Sequence, residues 1–79
     1  MEIPKQWQME ADRLARVFEF ADFAAAMVFV NQVAVLSEAA NHHPDILVRW
    51  NKVRLELWTH TAGAVTEQDR ELAERINML

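Results

Sequence analysis

Cysteine is missing from the chain altogether, which excludes disulfides, thiolate catalysis and zinc held through sulfur. Such a composition suits a reducing interior, and the expected location is cytoplasmic. Glycine occurs once, at Gly63, and proline twice, at Pro4 and Pro44, so the chain offers no flexible linker and no glycine-rich phosphate loop. Arginine and lysine are scattered and the formal net charge is -4, which argues against a surface built to hold nucleic-acid phosphates. The longest unbroken apolar run, Phe23 to Val30, is ended by Asn31 and Gln32. It falls short of the ~20 residues a membrane-spanning helix needs. The opening MEIPKQW has no basic region leading an apolar core, so no secretory signal is read there. Neither a membrane nor a nucleic acid is an expected partner.

What remains is a chain of 79 residues, 52% hydrophobic, read as one domain over 1–79. A domain this small buries a modest share of its surface and commonly needs a partner or a staple. Leu14, Arg16, Phe18 and Phe20 alternate with Ala15, Val17 and Glu19, the period of a strand. Arg16 interrupts the apolar face, which predicts a place near a sheet edge. Trp7 is expected to anchor the weakly patterned start to the body of the domain. Asp22 has the chemistry of a helix N-cap, and the helix it opens runs to about Ala40. One side of that helix carries Phe23, Met27, Val30 and Ala34, and another carries Ala26, Phe29, Val33 and Leu36. A helix apolar around most of its girth is expected to be covered on two sides, by its own sheet and by another subunit.

Two further strands are expected at Ile46–Trp50 and Val53–Thr59, joined by a turn at Asn51-Lys52. Val53, Leu55, Leu57 and Thr59 share one face; Arg54, Glu56, Trp58 and His60 share the other. Thr66 then opens a last helix to about Met78, with Asp69 placed to complete a capping box. The fold class that follows is α+β: an antiparallel sheet of three to four strands with two helices packed on one face.

The chemistry sits in three histidines. His42 and His43 fall where the long helix ends and Pro44 forces an extended backbone. His60 lies at the end of the second hairpin strand. An isolated His-His-Pro is more often a helix cap beside a surface histidine than a catalytic pair. Three imidazoles can also hold zinc, but adjacent ligands chelate one ion awkwardly and no HExxH spacing is present, so no metal is expected. Glu38, four residues before His42, shares its helix face and is a candidate to orient it. Asp69 is either a simple cap or a second support. Trp50 and Trp58 are ring-stacking candidates as well as packing residues.

Taken together, Glu38, His42-His43-Pro44, Trp50, His60 and Asp69, set among FEFADF, NHHPD, WNKV and THTAG, resemble the pterin-4a-carbinolamine dehydratases, the DCoH family. The resemblance runs from about Trp7 to Asn77. It departs at Thr61, where an acid is common, at Ala64, where a second glycine is frequent, and at Trp58, which replaces a smaller residue. The family's usual helix before the first strand is also expected to be lacking. The resemblance implies a lyase that dehydrates 4a-hydroxytetrahydropterin to quinonoid dihydropterin, with the pterin as substrate and no further cofactor. It implies catalysis by His42, His43 and His60, with His42 and His60 moving protons and His43 orienting the pterin. Glu38, Pro44, Trp50 and Asp69 would bind or support. It also implies a homodimer or homotetramer through helix 22–40. The alternative is a protein-binding module of the coactivator type that uses the same helix.

Overall fold

Alternation along Arg13–Glu19 produces the longest strand, and the rest of the sheet assembles around it. The computed structural model describes residues 2–79. Its elements run β1 (Gln8–Glu10), β2 (Arg13–Glu19), α1 (Phe23–Ala40), β3 (Asp45–Arg49), β4 (Lys52–Leu57) and α2 (Glu67–Asn77). The four strands form one antiparallel sheet in the order β1-β2-β4-β3. The side chains that alternate inward from β2 and β4 meet both helices in one core. Leu14, Val53, Leu55 and Leu57 come from the sheet; Ala26, Phe29 and Val33 from α1; Leu72, Ala73 and Ile76 from α2. Each large aliphatic among them gains about 1.5–3 kcal/mol from burial. The expected α+β architecture is the observed one, with the short β1 as its fourth strand.

Local chemistry sets the helix ends. The Asp22 carboxylate accepts the Ala25 N–H at 2.8 Å and starts α1. At the other end Asn41 takes a left-handed backbone, φ 49°. Its N–H meets Glu38 O at 3.2 Å, and the His42 N–H meets Ser37 O at 3.1 Å, the paired bonds that close a helix on a left-handed residue. Ala26, Phe29 and Val33 face the core, and Ser37, equally buried, donates its hydroxyl to Val33 O at 2.8 Å. The other side is open: Phe23 is 51% exposed, Val28 60% and Val35 70%. By length and composition α1 is also long and apolar enough to cross a membrane, which the eight-residue run alone did not suggest.

Two expectations need correcting. The hairpin turn is Trp50-Asn51, one residue earlier than expected, because Arg49 pairs with Lys52. Asn51 also fixes the turn in place: its side-chain amide donates to Phe20 O at 2.9 Å and its backbone carbonyl accepts the Phe20 N–H at 2.8 Å, pinning the hairpin tip to the β2–α1 junction. Arg16 lies on β2, an interior strand by sheet order, but β1 pairs only as far as Ala15, so Arg16 has a local edge beside it. Its guanidinium lies 4.1 Å from the Phe18 ring centroid and donates to Asn77 Oδ1 at 2.6 Å. Burial lowers its pKa from the usual guanidinium value.

Asn77 holds more than Arg16. Its Oδ1 also accepts the Trp7 Nε1–H at 2.8 Å, and its Nδ2 donates to Lys5 O at 3.0 Å. This one amide ties the segment before β1 to the end of α2, and Trp7 is buried accordingly. Replacing Asn77 by Ala leaves two donors and one acceptor to find other partners. The expected loss is about 1–3 kcal/mol, read from denaturant unfolding with Trp fluorescence. A loss below about 0.5 kcal/mol would show that water replaces all three bonds.

Candidate active site

The end of α1 and the end of β4 meet beside the start of α2. Pro44 stops any continuation of the helix, so the chain passes through His42 and His43 outside any helix or strand and enters β3 at Asp45. Beyond β4, Thr59 pairs with Ala64 across a small loop, its N–H bonding to Ala64 O at 2.9 Å. Gly63, in a left-handed conformation at φ 63°, closes that loop by donating to Thr59 O at 2.9 Å. His60 rides on this loop. The two junctions enclose a hollow of about 290 Å3 lined by Asn41, His42, His43, Trp58, Thr59, His60, Thr61 and Gln68. All three imidazoles therefore border one space.

Each of the paired histidines has its own carboxylate. His42 Nε2 is hydrogen-bonded to Asp69 Oδ1, and Asp69 is completely buried. Asp69 Oδ2 accepts the Thr59 hydroxyl at 2.7 Å and the Thr66 N–H at 2.8 Å. The capping box of α2 and the support of His42 are thus one carboxylate performing both tasks. With Nε2–H donated to that carboxylate, a neutral His42 carries its acceptor lone pair on Nδ1. His43 Nε2 lies 2.5 Å from Glu38 Oε2, at the exposed rim. His60 makes no such pairing among the described residues. Its ring is stacked on Trp58, with centroids 4.1 Å apart and planes at 28°.

Two site expectations are corrected here. Glu38 meets His43, not His42, because the helical i, i+4 relation ends at Ala40 and the left-handed Asn41 swings the next residue into its place. Trp50 does not reach the hollow. It sits 66% exposed in the hairpin turn with φ 50°, beside Arg49, Asn51 and Lys52. The six steps of chain from Pro44, five of them residues of β3, carry it about 20 Å away. Pro44 is half-buried and acts on the backbone. Thr59 was not singled out by sequence, although its inward place in the β4 alternation was the available signal. Among the described residues, no group of three or more His, Asp or Glu side chains is arranged to hold a metal ion.

Behind the hollow, on the helix-free face of the sheet, Asp45 and Glu56 are direct cross-strand neighbours of like charge. Arg13 reaches both, at 3.5 Å and 2.6 Å, and Arg54 binds Glu56 at 2.9 Å and Glu10 at 2.6 Å. The hydrogen bonds from Arg54 and then Arg13 hold the Glu56 carboxyl below the usual carboxylate range. A carboxylate depressed in the folded state stabilises it above the unfolded value, about 4.3, and loses that contribution as pH falls through the folded one. Glu56→Gln is therefore expected to be less stable than the parent at pH 7 by up to about 1 kcal/mol, with the difference vanishing in acid. Urea midpoints across pH check this; a gap that persists into strong acid would assign it to packing.

Residues 1–79 match the family model described as Pterin 4 alpha carbinolamine dehydratase. The chain belongs to this family. A protein of Acidobacterium capsulatum provisionally named pterin-4-alpha-carbinolamine dehydratase is 55% identical over 73 residues, 92% of this chain and 79% of that one. A Haloarcula marismortui protein with the same provisional name is 45% identical, over 95% of this chain and 82% of its own. A crystal structure described as a transcriptional coactivator/pterin dehydratase from Brucella melitensis superposes with a TM-score of 0.89 at 34% identity, over 94% of this chain and 81% of that one. A pterin dehydratase-like protein described as a RuBisCO assembly factor in the alpha-carboxysome aligns with a TM-score of 0.74 at 27% identity, over 91% of this chain and 83% of that one. This family member carries its histidines at the junctions of α1 with β3 and of β4 with α2.

Proposed function

We propose that the protein is a hydro-lyase that converts 4a-hydroxytetrahydropterin to quinonoid dihydropterin by acid and base catalysis on histidine. The observation that carries this is the common hollow bordered by His42, His43 and His60. In the reaction the N5–H bond breaks, its electrons form the C4a=N5 bond, and the C4a–O bond breaks with its pair on oxygen. A base takes the N5 proton and an acid protonates the departing hydroxide to water. The overall change is the loss of one water, with no change of oxidation state. His42, fixed through Nε2, has Nδ1 for this exchange; His60 is the second proton carrier; His43, held by Glu38, orients the ring at the rim. Asp69 and Glu38 support by hydrogen bonding. The test is direct: purified protein should accelerate dehydration of the carbinolamine above its spontaneous rate, and no acceleration at any concentration would overturn the reading.

A second reading is favoured by a different observation. The open side of α1, with Phe23, Val28 and Val35, is an apolar strip on a small domain. Homodimers or homotetramers through this helix would cover it, and so would a helix of another protein in a coactivator role. The relatives described as a coactivator/pterin dehydratase and as an assembly factor support keeping this reading. Size in solution separates the two: a stable tetramer with the helix protected from hydrogen exchange favours self-association, and a monomer favours a foreign partner.

A further inference from the structure

We propose that Trp58 is the positioning residue for His60. His42 and His43 are each held by a carboxylate, whereas His60, exposed on the Thr59–Gly63 turn, has no hydrogen-bond partner for its ring among the described residues. A histidine on such a loop would exchange among rotamers. The 4.1 Å stack on Trp58 is the contact that selects one orientation beside the hollow. Trp58 is in turn restrained. The Arg13 guanidinium carbon lies 4.7 Å from its ring centroid, and Arg13 is tied to Glu56 and to Asp45, the residue after Pro44. Arg13 thereby links β4, which ends one residue before the indole, to the segment that carries His43. The indole Nε1 is buried with no hydrogen-bond partner among the described residues. A buried donor without an acceptor opposes folding, so what the indole contributes here is its π face and not its N–H.

Aromatic pairs of this kind shift a population about two- to tenfold. The link to turnover rests on the dehydratase reading; the stack itself does not. Trp58→Leu keeps apolar bulk and removes the ring; Trp58→Phe keeps a ring and removes the orphan donor. The expected result is a two- to tenfold fall in kcat for Trp58→Leu with KM little changed, and near-parental kcat and equal or higher stability for Trp58→Phe. In a His60→Ala background, Trp58→Leu should produce no further fall. Independently of turnover, the His60 ring-proton resonances, displaced by the indole ring current, should return to unstacked positions in Trp58→Leu and stay displaced in Trp58→Phe. Unmoved His60 resonances in Trp58→Leu, or an undiminished kcat effect without His60, would overturn the assignment. Absence of turnover by the parent protein would remove the dehydratase reading alone, since the resonances decide the stack by themselves.

Discussion

Asp69→Ala is expected to lower stability by about 3–5 kcal/mol, the range for removing one partner of a buried pair. The substitution would leave the His42 Nε2, the Thr59 hydroxyl and the Thr66 N–H without their common acceptor, in a place where Asp69 is wholly buried. It would also abolish the capping box of α2. A domain of 79 residues has on the order of 4–12 kcal/mol in total, so this single change consumes a large share of it. Thermal unfolding should show a midpoint lower by about 15–30 °C. Asp69→Asn separates fold from chemistry. An amide oxygen still accepts from Thr59 and Thr66, but the amide NH2 then faces His42 and requires Nε2 to be the acceptor. The proton moves to Nδ1, which becomes a donor. The expected outcome is a folded protein whose turnover falls on the order of 10²–10⁴-fold, as for loss of a general base. The imidazole nitrogen shifts of His42 report the tautomer. Full activity in Asp69→Asn, or an unchanged tautomer, would break the link between this carboxylate and proton transfer.

His42→Ala and His60→Ala carry the second large effect. Each removes one proton carrier from the hollow, and each is expected to lower kcat on the order of 10²–10⁴-fold at temperatures where the variant is folded. His42→Ala should also lower stability, because the buried Asp69 carboxylate loses its imidazole, whereas exposed His60→Ala should not. The double variant should fall little further than the worse single one, because the two histidines serve one concerted transfer and not two independent steps. His43→Ala should act more on KM, since His43 sits at the rim with Glu38 and not against the buried carboxylate. Initial rates of carbinolamine dehydration over a range of substrate concentrations distinguish these patterns. Unchanged turnover in both His42→Ala and His60→Ala would eliminate histidine catalysis. A dominant kcat effect at His43 would exchange the roles assigned to the two neighbours.

Much of this frame was legible locally. Asp22 before an uninterrupted run of helix formers announces α1, and Thr66 three residues before Asp69 announces α2. Pro44 places the break after His43, and the alternation of Val53, Leu55 and Leu57 names the inward face of β4. The hairpin turn holds Asn51 as expected, but as its second residue after a left-handed Trp50, because pairing of Arg49 with Lys52 and the tie of Asn51 to the Phe20 backbone are contacts no local rule contains. Trp50 looked like a ligand wall by its place in a motif; strand length carries it to the opposite end of β3. Glu38 looked like the partner of His42 by helical spacing, and the left-handed turn at Asn41 hands it to His43.

The division follows from the range of the forces. Caps, turns, periodicity and the stop at proline act within a few residues, so the order of elements, the α+β class and the identity of the three histidines were readable from the chain alone. Which carboxylate holds which imidazole, the double use of Asp69, and the stack of Trp58 on His60 with Arg13 behind it were decided only by tertiary structure. His42 and Asp69 are 27 positions apart, and Arg13 and Glu56 are 43 apart. Contacts at such separations arise from the packing of helices on a sheet, and no spacing rule along the chain encodes them.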